Sequence, residues 1–161
     1  MTERYLFVLV PLETLHAHER VIPSKVQALE EELRRAGVFV DPIWVARGTG
    51  VILNGHHRVA ALRKLGARRI PAWVLDYDSD LVRVDRWSPG PPISKQEVLR
   101  RAREGKLFSP QTTRHRLAVE LPRRPTPLVE LLGLPRPRAP KAHARRSGAA
   151  RRSRARSSGS A

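Results

Sequence analysis

Apolar residues fall into short blocks parted by charged or turn-forming ones, and the spacing within the blocks changes along the chain. Residues 4–10 hold Tyr5, Phe7 and Val8 in a continuous run the length of one buried strand, ended by Pro11. Residues 12–23 show no period and predict irregular structure or a short turn. Val26, Leu29, Leu33 and Ala36 then recur on one helical face, with Glu30, Glu31, Glu32, Arg34 and Arg35 largely opposite. Ser24 and Gln27 stand at capping-box spacing before this helix, and Gly37 fits its stop. Residues 38–40 and 43–45 predict two extended pieces broken at Asp41-Pro42. After a turn at 47–50, a β-branched run from Val51 stops at Asn54-Gly55, and a helical pattern follows that closes at Gly66.

The second half continues in the same style. Residues 67–75 predict another strand, with Pro71 marking a strand start or an edge. An acidic turn at 76–80 leads to a short strand at 81–84, and residues 88–92 read as a linker. Ser94 and Glu97 form a second capping box, opening a helix with Val98, Leu99 and Ala102 that ends at Gly105. Residues 106–116 read as a polar, basic turn, followed by an apolar stretch at 117–121. Thr126 and Pro127 predict an N-cap and first helical position for a short helix through Leu132, stopped by Gly133. The order predicts a compact α+β domain of mixed strands and few helices, too small for a dinucleotide-binding unit. It divides into a core at 1–87, a C-terminal extension at 88–134 and a tail at 135–161.

Charge changes the picture only at the end of the chain. The formal net charge is +16, yet residues 135–161 carry nine basic residues and no acid, leaving 22 basic against 15 acidic residues in 1–134. The tail lacks apolar periodicity and cannot bury enough surface to offset its ordering entropy, so it is expected to be disordered. Such a tail can bind nucleic acid non-specifically by counterion release. With no cysteine, disulfides and thiolate metal sites are excluded. The N-terminal apolar run is too short for a signal peptide, and no run reaches the length of a membrane span, so a cytoplasmic protein without membrane contact is expected.

The candidate chemistry sits at residues 54–58. A strand that turns through glycine into a helix presents free main-chain N–H groups and a positive dipole end at one point. Gly55, His56, His57 and Arg58 add two imidazoles and a guanidinium there, which makes an anion site, with phosphate the commonest occupant. The glycines match neither G-x-G-x-x-G nor the P-loop pattern. His16 and His18 are a possible metal pair, but no third ligand is evident.

Residues 53–62, Leu-Asn-Gly-His-His-Arg-Val-Ala-Ala-Leu, resemble the ParB/sulfiredoxin-like superfamily, and the two-histidine form resembles its free L-serine kinase branch. His18-Glu19 lies where those kinases place a catalytic glutamate, Trp87 where they have a substrate-side tryptophan. Ser109-Pro-Gln-Thr112-Thr113-Arg114-His115 resembles their Pro-Pro-Lys-Thr-Thr-Arg-His stretch. The resemblance implies phosphoryl transfer from ADP or ATP, with Mg²⁺, to the hydroxyl of L-serine. It implies Glu19 and Asn54 as catalytic, residues 55–58 as the phosphate cradle, and Trp87, Thr112, Thr113, Arg114 and His115 as substrate-binding. Where the kinases usually have aspartate this chain has Asn54, which keeps one carbonyl and loses the charge that hard Mg²⁺ prefers. The alternative expectation is a ParB-like nucleotide-responsive regulatory or DNA-binding protein without turnover.

Overall fold

One sheet with two apolar faces decides the architecture. The computed structural model describes residues 4–133, so the tail at 135–161 lies outside the described residues. Four strands, β1 (Tyr5–Pro11), β3 (Ile43–Ala46), β4 (Ile52–Asn54) and β5 (Arg69–Leu75), form a mixed sheet in the order β1-β5-β3-β4. β5 runs antiparallel to β1 and parallel to β3, and β4 returns antiparallel beside β3. Alternate residues of β5 feed opposite cores. Ile70 and Ala72 join one with Val26, Leu33, Val59 and Leu62, whereas Trp73 and Leu75 join the other with Tyr77, Val82 and Val98. Burial on both faces explains why β5 reads as an unbroken apolar run.

The first core lies under α1 (Pro23–Ala36), α2 (His56–Lys64) and the short α4 (Leu128–Leu131); α1 packs on α2. The second lies under α3 (Lys95–Glu104) and a separate two-stranded unit of β6 (Val82–Arg86) with β7 (Thr113–Leu117). A second small ladder pairs β2 (Val38–Phe39) with β8 (Thr126–Pro127). The α+β class thus stands as predicted. Residues 88–133 are woven into both cores: β7 pairs along β6, while Leu128 and Leu131 complete the first core. Among the described residues no helix is long and apolar enough to cross a membrane.

Several local expectations are corrected. α1 begins one residue before the expected box, with Ile22 as N-cap, Pro23 in the first turn and no side-chain cap. Proline fixes φ and lacks the N–H that the first turn leaves unpaired, so it opens the helix without help from Ser24. Pro71 is at neither an edge nor a strand start, because β5 is interior. It pairs with Leu9 of β1, one residue before the register with β3 begins at Ile43 and Ala72. The polar turn expected at 106–116 becomes strand β7 from Thr113, with Thr113 and His115 buried and Arg116 exposed. Thr126 and Pro127 form the bridge to β2, and Pro127 itself is the cap of α4. The segment at 12–23 is a 3-10 turn, Leu12–Thr14, and then an extended piece.

Of the two capping boxes visible in the sequence, only the second makes its N-cap bond: the Ser94 hydroxyl accepts the Glu97 N–H at 3.1 Å. Ser94→Ala should therefore lower stability by about 1 kcal/mol and Ser24→Ala by only a few tenths. Urea denaturation of both variants checks the contrast; equal losses would contradict this helix start.

Candidate active site

The extended piece after β1 carries the key acid because both of its sides find partners. On one side the His16 N–H donates to the Gly50 carbonyl and the Ile52 N–H to that of His16, both at 2.9 Å. On the other, the Phe108 N–H reaches the His18 carbonyl and the Arg20 N–H the Phe108 carbonyl, again at 2.9 Å. Residues 16–20 are thereby stitched between the β4 entry and the segment that leads into β7.

Glu19 ends up 8% exposed, with its two oxygens in different circumstances. Oε1 accepts main-chain N–H groups of Thr112 at 2.6 Å and Thr113 at 2.8 Å, and the Thr113 hydroxyl at 3.3 Å. Oε2 faces His56 Nδ1 at 4.0 Å. Burial raises this carboxyl above its ordinary value, and the N–H donors of Thr113 and Thr112 pull it back only in part. Gln111 sets up the donors: it is the non-glycine residue with positive φ, 57°, immediately before the two N–H groups that meet Glu19.

Three imidazoles pack around the acid. His18 is fully buried, its ring edge-to-face on His56 at 4.6 Å and on His115 at 5.7 Å. Burial pushes His18 down to about 4 and His115 to about 3, and lowers His56 as well, so all three are neutral near pH 7. Their Nε2 atoms have partners within the protein: His18 Nε2 meets the Thr113 hydroxyl at 2.8 Å, and His115 Nε2 the Tyr77 hydroxyl at 2.8 Å.

The predicted cradle is formed by the β4–α2 turn. Gly55 is the N-cap of α2 with φ 109°, and a Cβ there would overlap Ile43 Cγ2 and approach Arg58 Nη2 to 3.0 Å. The two histidines that follow do not present Nε2 to a ligand. His56 Nε2 accepts the His18 N–H at 3.2 Å and His57 Nε2 the Ile22 N–H at 3.0 Å. A ring nitrogen that accepts from an amide carries no proton, so both rings are protonated at Nδ1. They staple the 18–22 segment to the start of α2. Arg58 Nη1 donates to the Asp41 carbonyl and, at 3.3 Å, to that of Pro42; Nη2 lies 3.5 Å from Asn54 Oδ1.

These parts face one cavity of about 350 Å³, lined by Glu19, Asn54, residues 55–58, Trp87, Gln111, Thr113, Arg114 and His115 among others. Thr112 is the predicted site residue missing from the lining: its hydroxyl donates to the Ser109 carbonyl at 2.7 Å. Arg114 is held by a two-point contact with Asp85, at 2.7 and 2.8 Å, and lies 5.0 Å from the ring of Trp87, which is 63% exposed. Sequence reasoning missed Gln111, Tyr77 and Asp85, which support the site through a strained φ, a buried hydroxyl and a fork partner. Nothing local in the sequence signals the complete burial of His18.

Two outcomes follow from this geometry. The buried imidazoles bind fewer protons folded than unfolded below their ordinary value of 6.5. Their stabilisation is complete above pH 6.5 and drains away as pH falls toward 4 and then 3, on the order of 3 kcal/mol for His18 alone. The raised Glu19 carboxyl acts oppositely, weakening the fold once pH exceeds its folded value, but one carboxyl faces three rings. Melting temperature should fall steadily from pH 6.5 to 4; a flat profile would mean that the rings protonate inside the fold. Gly55→Ala, which combines positive φ with overlap on Ile43, should cost about 2–4 kcal/mol by urea denaturation.

No protein-family model matches the chain. The ADP-dependent L-serine kinase of Thermococcus kodakarensis is 35% identical over 107 residues, 64% of this chain and 44% of that protein. An ATP-dependent L-serine kinase of Staphylothermus marinus is 35% identical over 86 residues, covering 51% and 34%. A ParB-like protein of Sulfolobus acidocaldarius is 41% identical over 88 residues, covering 53% and 44%. The chain spans less than half the length of these curated relatives. Among solved structures, a free serine kinase variant in complex with ADP superposes with a TM-score of 0.69 at 21% identity, over 81% of this chain and 95% of that one. In sequence the chain is similar to L-serine kinases and to a ParB-like protein over about half to two thirds of its length, and its fold is that of the free serine kinase structure.

Proposed function

We propose that this chain transfers a phosphoryl group from ADP or ATP to the hydroxyl of L-serine, giving O-phosphoserine and AMP or ADP. The observation that carries the reading is a buried glutamate with one oxygen uncommitted, facing the same cavity as a glycine-opened helix N-terminus. The serine hydroxyl is a poor nucleophile at neutral pH and needs a positioned base, a task for which the raised Glu19 carboxyl is suited. In this reading the proton passes to Glu19 as the serine oxygen bonds to the terminal phosphorus, and the bond to the departing nucleotide oxygen breaks. The N–H groups at the start of α2 and the Arg58 guanidinium neutralise the phosphate oxygens. His56 and His57 contribute through the staple they make, with Nδ1–H the group each has left to offer. Trp87 and Arg114 line the part of the cavity assigned to serine.

Mg²⁺ enters this reading with the nucleotide. Among the described residues no group of three histidine, cysteine or carboxylate side chains is placed to hold an ion, and Asn54 offers a neutral carbonyl. These residues do not fit a resident metal, and no step is routed through one.

Incubation with L-serine, Mg²⁺ and each donor should yield O-phosphoserine. Glu19→Gln should lower kcat by about 10²-fold or more while nucleotide affinity by calorimetry stays within about threefold. Absence of product from both donors, with the Asn54→Asp variant equally silent, would refute the proposal.

A further inference from the structure

The resemblance assigned Thr113 to substrate, but its hydroxyl is already occupied inside the protein. It sits between two buried groups, His18 Nε2 at 2.8 Å and Glu19 Oε1 at 3.3 Å. A carboxylate can only accept; where the hydroxyl donates to Glu19, its oxygen can accept from His18 only if the ring is the Nε2–H tautomer. That tautomer leaves Nδ1 without a proton; the atom is buried without a hydrogen bond of normal length, and the Ile52 main chain lies beside the ring. His18 in turn is fixed at both ends. Its own N–H donates to His56 Nε2 at 3.2 Å, and its carbonyl accepts from Phe108.

From this chain of contacts we propose that Thr113 and His18 are positioning residues for Glu19: they hold Oε1 as the fixed oxygen and so make Oε2 the one that takes the substrate proton. Oε1 accepts the main-chain N–H groups of Thr112 and Thr113, which fill its two lone-pair sites, and the Thr113 hydroxyl at longer range. Oε2 makes none of the three bonds that hold Oε1; the Gln111 main chain also approaches the carboxyl, and the neighbour of Oε2 at 4.0 Å, His56 Nδ1–H, is a donor held in place by the His18 amide. One oxygen of the carboxyl is thus bolted to the protein, and the other is held less firmly in a residue that lines the cavity. The groups that face Glu19 from α2 are the neutral His56 and the Arg58 guanidinium, and from β7 Arg114, already paired with Asp85, and the neutral His115. Removing the Thr113 hydroxyl takes away a bond made to the ionised form of Glu19, so the carboxyl should hold its proton more tightly.

This rests on Glu19 as the base, and the test has a readout that needs no turnover. Glutamate labelled with ¹³C at the side-chain carboxyl reports the Glu19 titration directly by NMR in the full chain. Thr113→Val should move its midpoint up by at least half a pH unit, Thr113→Ser should restore it, and ring ¹³C shifts should show His18 as the Nε2–H tautomer. In assays with L-serine, Thr113→Val should lower kcat about tenfold, leave KM for serine and nucleotide within about twofold, and carry the acid limb of the pH profile upward with the NMR midpoint. A Glu19 midpoint that stays put in Thr113→Val, a serine variant that behaves like valine, or a His18 ring protonated at Nδ1 would each overturn the proposal. A raised KM for serine with an unmoved midpoint would return Thr113 to the substrate. If no donor gives O-phosphoserine and yet the midpoint moves as described, the positioning chain stands and the kinase reading falls.

Discussion

Two main-chain N–H groups closing on one oxygen of Glu19, at 2.6 and 2.8 Å, are the contact on which the site depends. An ionised carboxylate removed from water without partners would be strongly disfavoured. Two amide donors and a hydroxyl reduce that penalty without cancelling it, because burial still wins and the carboxyl stays raised. The result is an acid that ionises with difficulty and holds a proton well, the property that the base in the proposed function calls for. The same two bonds tie the segment after β1 to the start of β7, so they act as both structure and tuning.

The choice of neighbours follows from that tuning. A lysine or arginine packed where His18 stands would stabilise the carboxylate and weaken it as a base. Buried imidazoles avoid this, because desolvation holds them neutral. They still donate and accept hydrogen bonds, so they can orient Glu19, Thr113 and the 18–22 segment without adding charge. The positive charge of the cavity is left to Arg58 and Arg114, and each is anchored before any ligand arrives, one on carbonyls of the 41–42 turn and the other on Asp85.

Much of this was readable from residue order where the cause was local. Gly55 could be read as a turn because only glycine accepts φ 109° beside Ile43, and Gly37 and Gly105 mark helix ends for a similar reason. The strand at Thr113 was harder, since its outward residues Arg114 and Arg116 masked an inward alternation of Thr113, His115 and Leu117. Ser24 misled because Pro23 had already opened the helix. The burial of His18 and the two roles of Glu19's oxygens could not be read locally at all. They arise from contacts made 38 residues away at His56 and 94 away at Thr113.

Those separations bear on how the protein comes into being. On a ribosome, the sequence for the phosphate cradle and for Glu19 is complete by residue 58, and the sheet can close once β5 has emerged to pair with β1. Contacts so far apart in the chain form late, since loop closure must precede their reward. Until residues 112 and 113 leave the exit tunnel, Glu19 has no donors and remains an ordinary hydrated acid. In the reading proposed above, the base is therefore assembled only after the sheet beside it has closed.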